Sequence, residues 1–235
     1  LKFVLTGGLV GLHWILFFQS IKLSNVSVTL VCMSSLTLFT ALLEPLFNKR
    51  KIEYLELLIG LFIIIGIYLI FKFEAHYVTG IILGLLCAFC GSLFTIINSN
   101  LIKHSKATAI SFYEMLGAWL WVSLYLFLTQ GFTDNMRLSS SDLAYLLILG
   151  TICTSAAYVA GVSVMKELSA FRVALITNLE PVYGIVLALL FFKQEQKMSI
   201  RFYAGALIVL GAVFLYPVVK SKIEHRKLKK QLPII

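Results

Sequence analysis

Apolar residues along this chain fall in long unbroken blocks separated by short polar joints. Eight stretches, approximately residues 3–21, 23–46, 54–71, 77–102, 107–129, 143–165, 170–192 and 202–219, carry almost no charge. Each has about the 18–25 residues that cross a hydrocarbon layer roughly 30 Å thick. In lipid a backbone N–H or C=O finds its partner only within its own helix or in a closed barrel. Barrel strands alternate apolar and polar positions over about ten residues, and these blocks do not alternate. The pattern predicts an all-α, polytopic membrane helix bundle with eight spans.

The joints are short except for Thr129 to Asp142, where Gly131, Asp134, Asn135 and Ser139-Ser140-Ser141-Asp142 offer turn and capping chemistry. The serine run reads as the N-cap of a helix starting at Leu143. A nucleophile cluster would need a His or Lys base beside it, and none is there.

Composition agrees with the pattern. Hydrophobic residues make up 60% and charged residues 13% of the chain, against roughly 45–50% and about 25% in soluble domains. About half of the +9 net charge lies between Lys220 and Lys230, directly after an apolar block. Basic residues placed there suit anionic lipid and membrane topology, not nucleic acid. With both chain ends cytoplasmic, fourteen Lys and Arg residues fall on the inner side and six on the outer. The positive-inside rule favours that orientation, and a bacterial plasma (inner) membrane is the expected location. Cys32, Cys87, Cys90 and Cys153 all lie in apolar blocks and are expected to pack as small apolar side chains. Their spacing offers no zinc site, and no metal or cofactor is expected.

Sliding the chain on itself by 145 residues aligns Leu23-Ser24 with Leu168-Ser169, Val28 with Val173, Leu30 with Leu175, Phe47 with Phe192, Gly60 with Gly205 and Gly66 with Gly211. The second copy restarts after five helices, and an odd count forces it to cross the membrane in the opposite sense. Inverted repeats of this kind build secondary transporters, with the solute site near the bilayer midplane between them. The second copy has five helices and the first only three, and residue 1 is Leu. Two helices of the first copy are therefore expected before Leu1, making eight spans part of ten. The expected organisation is residues 1–72 as the last three helices of the first repeat, 73–220 as the second repeat, and 221–235 as a basic cytoplasmic tail.

The stretch Asn178-Leu-Glu-Pro-Val-Tyr-Gly184, continuing through Phe192, resembles the ninth helix of the EamA-type branch of the drug/metabolite transporter superfamily. So do His13-Trp14, Leu23-Ser24-Asn25-Val26-Ser27 and Leu38-Phe39-Thr40-Ala41-Leu42-Leu43 for its third and fourth helices. The resemblance covers essentially the whole chain. It implies ten helices in two inverted five-helix repeats, and transport of small organic metabolites, with export of amino-acid-like or drug-like solutes as the common theme. One departure concerns Pro181, whose counterpart in the first copy is Leu36. Without a proline there, the matching kink is expected to be absent.

Several residues are candidates for solute handling. Glu180 stands near the middle of its span, where insertion of an acidic residue costs about 2.5–3.5 kcal/mol. It is a candidate for solute binding and for proton coupling, against a structural reading as interhelical glue. Pro181 frees a carbonyl one turn back and is the expected kink. Thr177 and Asn178 lie within a turn, and Tyr183 is expected on the same helix face. His13 and Trp14 sit at the centre of the first span, with Tyr158 at the repeat-related position. These aromatics suit a largely apolar pocket with a few aimed polar groups. Asn98 is a further pocket candidate. Glu114 is expected to serve the cytoplasmic interface, paired with Lys103 or Lys106. Glu44, beside Pro45 and Lys49-Arg50-Lys51, is expected to snorkel. Gly80, Gly84, Ala88 and Gly91 recur at nearly every fourth position, for close packing or a homodimer contact.

Two other function classes find less support in the residues. An intramembrane enzyme would need paired catalytic groups, yet His13, His76, His104 and His225 are scattered and no H-E-x-x-H, G-x-S-x-G or nucleotide-binding loop is present. A non-transporting scaffold or receptor has only the basic tail in its favour. The chain is expected to be a transporter and not an enzyme, its partners being the bilayer, a small solute and no nucleic acid.

Overall fold

A computed structural model describes residues 1–49, 51, 53–73, 75–132, 136, 138–191 and 199–231. Asp134, Asn135, Arg50, Arg137, Lys193 and Lys197 lie outside the described residues, as does the side chain of Pro181. The described elements are helical. They are α1 (Lys2–Leu23), α2 (Val26–Met33), α3 (Leu36–Asn48), α4 (Tyr54–Phe73), α5 (Val78–Leu101), α6 (Ala107–Leu128), α7 (Ser140–Ile148), a π-helical stretch Leu149–Ala156, α8 (Ala157–Val164), α9 (Ala170–Thr177), α10 (Leu179–Phe191) and α11 (Ile200–Gln231).

Among the described residues six helical stretches are long and apolar enough to cross a membrane: Lys2–Leu23, Val26–Asn48, Val78–Leu101, Ala107–Leu128, Ser140–Val164 and Ile200–Ile223. The other two expected spans fall on α4, whose qualifying apolar run is the shorter Tyr54–Gly66, and on α9 with α10, which are separate helices of 8 and 13 residues. The tail does not begin as a separate segment, because α11 continues unbroken to Gln231. Its 32 residues rise about 48 Å at 1.5 Å each, so the basic stretch extends past a hydrocarbon layer of roughly 30 Å.

Two broken helices share one design. α2 and α3 have 8 and 13 residues and part at Ser34-Ser35; α9 and α10 have the same lengths and part at Asn178. The expectation of an unbroken fourth helix is therefore corrected, since Leu36 does not remove the break. The serines make it. Ser35 Oγ donates to the Cys32 carbonyl at 2.7 Å and Ser34 Oγ to that of Leu30 at 3.4 Å, and hydroxyls bonding back onto the preceding turn bend helices. Side-chain caps start both units: Asn25 accepts from the Val28 N–H and Ser169 from the Arg172 N–H. Ser139 and Asp142 form a full capping box at α7, so that helix starts at Ser140, three residues before the expected Leu143.

Packing turns on small residues. α1 lies against α5 and α6, α4 against α11, and α2 with α3 against α5. At the α1–α6 crossing a Cβ on Gly117 would stand 2.6 Å from the Val4 carbonyl oxygen, and one on Gly7 would strike the backbone of Glu114 and Ala118. Gly66 of α4 meets Gly205 and Val209 of α11 in the same way. The stripe on α5 packs within the chain: Gly80 faces Ser24, Gly84 faces Cys32, and Gly91 faces Leu36 and His13. Hydroxyls join these contacts, with Ser20 Oγ 2.8 Å from both Thr29 Oγ1 and the Gly80 carbonyl. Large apolar side chains such as Trp119, Leu124 and Phe127 point outward. Apolar outside and small or hydroxylated inside is the arrangement for a lipid solvent, where close contact and hydrogen bonds drive helix association.

Candidate functional site

Where the two broken helices meet α1, α5 and the α7–α8 rod, they leave a cavity of about 630 Å³. Its wall brings together His13 and Trp14 of α1, Asn98 of α5, Tyr158 of α8, Thr177 and Asn178 at the end of α9, and Glu180 in the first turn of α10. Phe17, Phe18, Phe94, Leu30 and Met33 add aromatic and apolar surface, and residues between Leu146 and Met165 close the remaining side. Tyr183 is not part of this wall and is 64% exposed. Glu180 lines the cavity, whereas Tyr183, three residues on in the same helix, does not.

His13 is held in place. Its Nδ1 lies 2.9 Å from the Cys87 carbonyl oxygen, and the Cys87 thiol donates to the His13 carbonyl at 3.1 Å. A carbonyl acceptor requires the proton on Nδ1, leaving Nε2 as the ring's acceptor. Phe94 meets the imidazole edge-on at 5.3 Å, and the missing side chain at Gly91 makes room for the ring, since a Cβ there would stand 3.3 Å from Nδ1. Asn178 spans the two breaks. Its Nδ2 donates to the Ser34 carbonyl at 3.4 Å and to Thr37 Oγ1. Thr177 Oγ1 bonds back to the Val173 carbonyl at 3.0 Å. Pro181 lies in the first turn of α10, where a missing N–H breaks little helix bonding. Three of the four cysteines are buried, but Cys153 is exposed and faces the cavity from the π-helical stretch, so packing does not describe it.

Two carboxylates stand differently from the sequence expectation. Glu44 does not snorkel. It is only 3% exposed, and its Oε2 accepts the Phe171 N–H at 3.2 Å, capping an N–H that α9 cannot satisfy itself. Glu114 does not pair with Lys103, which turns to Asn100. It is fully buried, with Oε2 accepting from Tyr158 Oη at 2.8 Å and from Asn98 Nδ2 at 3.0 Å. Asn98 Nδ2 also donates to Tyr158 Oη at 3.0 Å. Reading Glu114 by its distance from the helix end hid this. The available signal was its spacing from Ser111, Gly117 and Ala118, which puts it on the face of α6 whose small residues admit α1.

Comparison with known proteins follows this geometry. The model of the EamA-like transporter family matches residues 78–216, more than half of the chain. An uncharacterized transporter of Archaeoglobus fulgidus is 21% identical over 200 residues, 85% of this chain and 69% of that protein. A solved crystal structure superposes with a TM-score of 0.67 at 14% identity, covering 93% of this chain and 76% of the other. At that identity the likeness is one of fold.

Proposed function

Because the chain belongs to the EamA-like transporter family, and is thus an integral membrane protein of a transporter family, we propose that it is a secondary transporter of small organic metabolites. Its solute sits in the cavity between the broken helices. One observation carries this reading: the two 8-plus-13-residue units converge on a single cavity of about 630 Å³ whose wall is aromatic and apolar with a few polar groups. That volume is within the range of roughly 300–1,000 Å³ typical of small-molecule sites. Helices broken beside a central site are also how transporters place polar backbone at membrane depth.

In this proposal eight spans cross the membrane, the two broken helices belong to oppositely oriented repeats, and rocking of one repeat against the other exposes the cavity alternately. Trp14 and Tyr158 hold the apolar body of the solute. Asn98, Glu180 and the free Nε2 of His13 meet its polar groups, and Glu180, with no hydrogen-bond partner among the described residues, suits an ammonium group. Export of amino-acid-like or drug-like solutes across a bacterial inner membrane, with the C-terminus cytoplasmic, is the physiological form of the proposal.

The test is flux of a panel of amino acids and related metabolites in liposomes reconstituted with the protein. At least one solute is expected to equilibrate faster than in empty liposomes, with Glu180→Gln slowing amino solutes most. No solute-dependent flux from monodisperse protein would overturn the reading.

A further inference from the structure

Behind the cavity wall lies a polar cluster that solute binding does not explain. Asn98 and Tyr158 line the cavity, whereas Glu114 does not. Both of them bond to the Glu114 carboxylate from the cavity side. Glu114, Asn98 and Ser111 are 0%, 1% and 3% exposed, yet Glu114 Oε1, Asn98 Oδ1 and Ser111 Oγ are buried without a hydrogen-bond partner. All three can accept a hydrogen bond, and only the Ser111 hydroxyl can also donate one. Buried polar atoms are nearly always partnered, and an exception calls for a physical explanation.

Among the described residues the surroundings supply no cation. Tyr158 of α8 bonds to Glu114 directly. On α1, Lys2 and Lys22 are exposed and His13 turns to Cys87. On α5, Cys87 engages His13 and Cys90 is neutral sulfur in the interior. On α6 itself, Tyr113 stacks on Phe3. An ionised carboxylate buried with two neutral donors and no countercharge is strongly disfavoured. One added hydrogen removes the mismatch: on Oε1 it neutralises the group and turns an unsatisfied acceptor into a donor, the kind of partner the other two oxygens lack.

We propose that Glu114 is an exchangeable proton-binding site in communication with the solute cavity through Tyr158. A hydronium ion in the cavity gives its proton to the phenolic oxygen as the phenol passes its own to Oε2. One O–H bond forms and one breaks at Tyr158, water remains in the cavity, and rotation of the new carboxylic acid about its Cγ–Cδ bond carries the O–H from the Tyr158 side to the unpartnered position first held by Oε1. The same two side chains link the site to solute. Ionised Glu114 needs the Tyr158 O–H and the Asn98 N–H; protonated Glu114 releases them to a molecule in the cavity. This extends the transporter reading, and the proton itself is the probe, so the two ideas fail separately.

The test is an infrared pH titration of the full chain in proteoliposomes without solute, following the carbonyl band of a protonated carboxylic acid. A titrating band is expected in the parent protein, lost in Glu114→Gln and kept in Glu180→Gln. Tyr158→Phe is expected to move its midpoint by about one pH unit, the tenfold change that corresponds to one hydrogen bond to a charged group. A band unchanged in Glu114→Gln, or one that answers to sodium chloride and not to pH, would overturn the proposal. Should Glu114→Gln not be monodisperse, an unmoved midpoint in Tyr158→Phe would overturn it just as well.

Discussion

At the scale of single residues, the interior is organised by polar atoms that find partners on another helix. Asn178 is the clearest case, a side chain on one broken helix bonded to the backbone and a hydroxyl of the other. Asn178→Ala is expected to lower stability by about 0.6 kcal/mol, with ~1.7 kcal/mol as the upper bound, as interhelical hydrogen bonds in membranes do; thermal unfolding in detergent measures it. Glu44→Gln weakens the charge at the N-terminus of α9 and is expected to cost about 0.3–1 kcal/mol, read the same way. Trp14 borders the cavity without an assigned polar partner, so Trp14→Ala should leave folding intact. It should reduce solute flux about tenfold, the equivalent of roughly 1.4 kcal/mol of lost aromatic contact.

Elements show the next level of control. α1 approaches α6 only because Gly7 and Gly117 lack side chains, and the obstruction in each case is backbone, which cannot swing aside. Gly117→Val is expected to separate the helices and lose the monodisperse peak in size-exclusion chromatography. Gly150 and Gly161, with nothing within 4 Å of a Cβ, should accept alanine with unfolding temperature unchanged. The breaks in α2–α3 and α9–α10 were only half legible from the chain. Pro181 drew attention to the second; the first is built by Ser34 and Ser35, and serine in an apolar run predicts a bend only when its hydroxyl turns back onto the helix. Its rotamer decides that, and the rotamer depends on the neighbouring helix.

At the scale of the molecule, the repeated 8-plus-13 arrangement makes a topological prediction. In a variant lacking the four native cysteines, Lys49→Cys and Ser199→Cys are expected to react with a membrane-impermeant thiol reagent from opposite sides of sealed vesicles. Labelling of both from one side would remove the inverted repeat and with it the rocking mechanism.

The sequence by itself determined the class of molecule. Uninterrupted apolar blocks of bilayer length leave the backbone no choice but helix, and the two aligned Leu-Ser joints and glycine pairs foreshadowed the paired units. It also singled out seven of the residues that border the cavity, since His13, Trp14, Asn98, Tyr158, Thr177, Asn178 and Glu180 are polar or aromatic groups within apolar blocks. What tertiary structure alone decided is which of these face one another. Tyr183 shares α10 with Glu180 but stays outside the wall. Glu44 and Glu114, assigned to the surface by their distance from helix ends, became interior groups because partners from α9, α5 and α8 arrive beside them. Depth along a helix can be counted in residues, but the face that is buried and the atom that meets it depend on the packing of other helices, and one-dimensional periodicity does not contain that information.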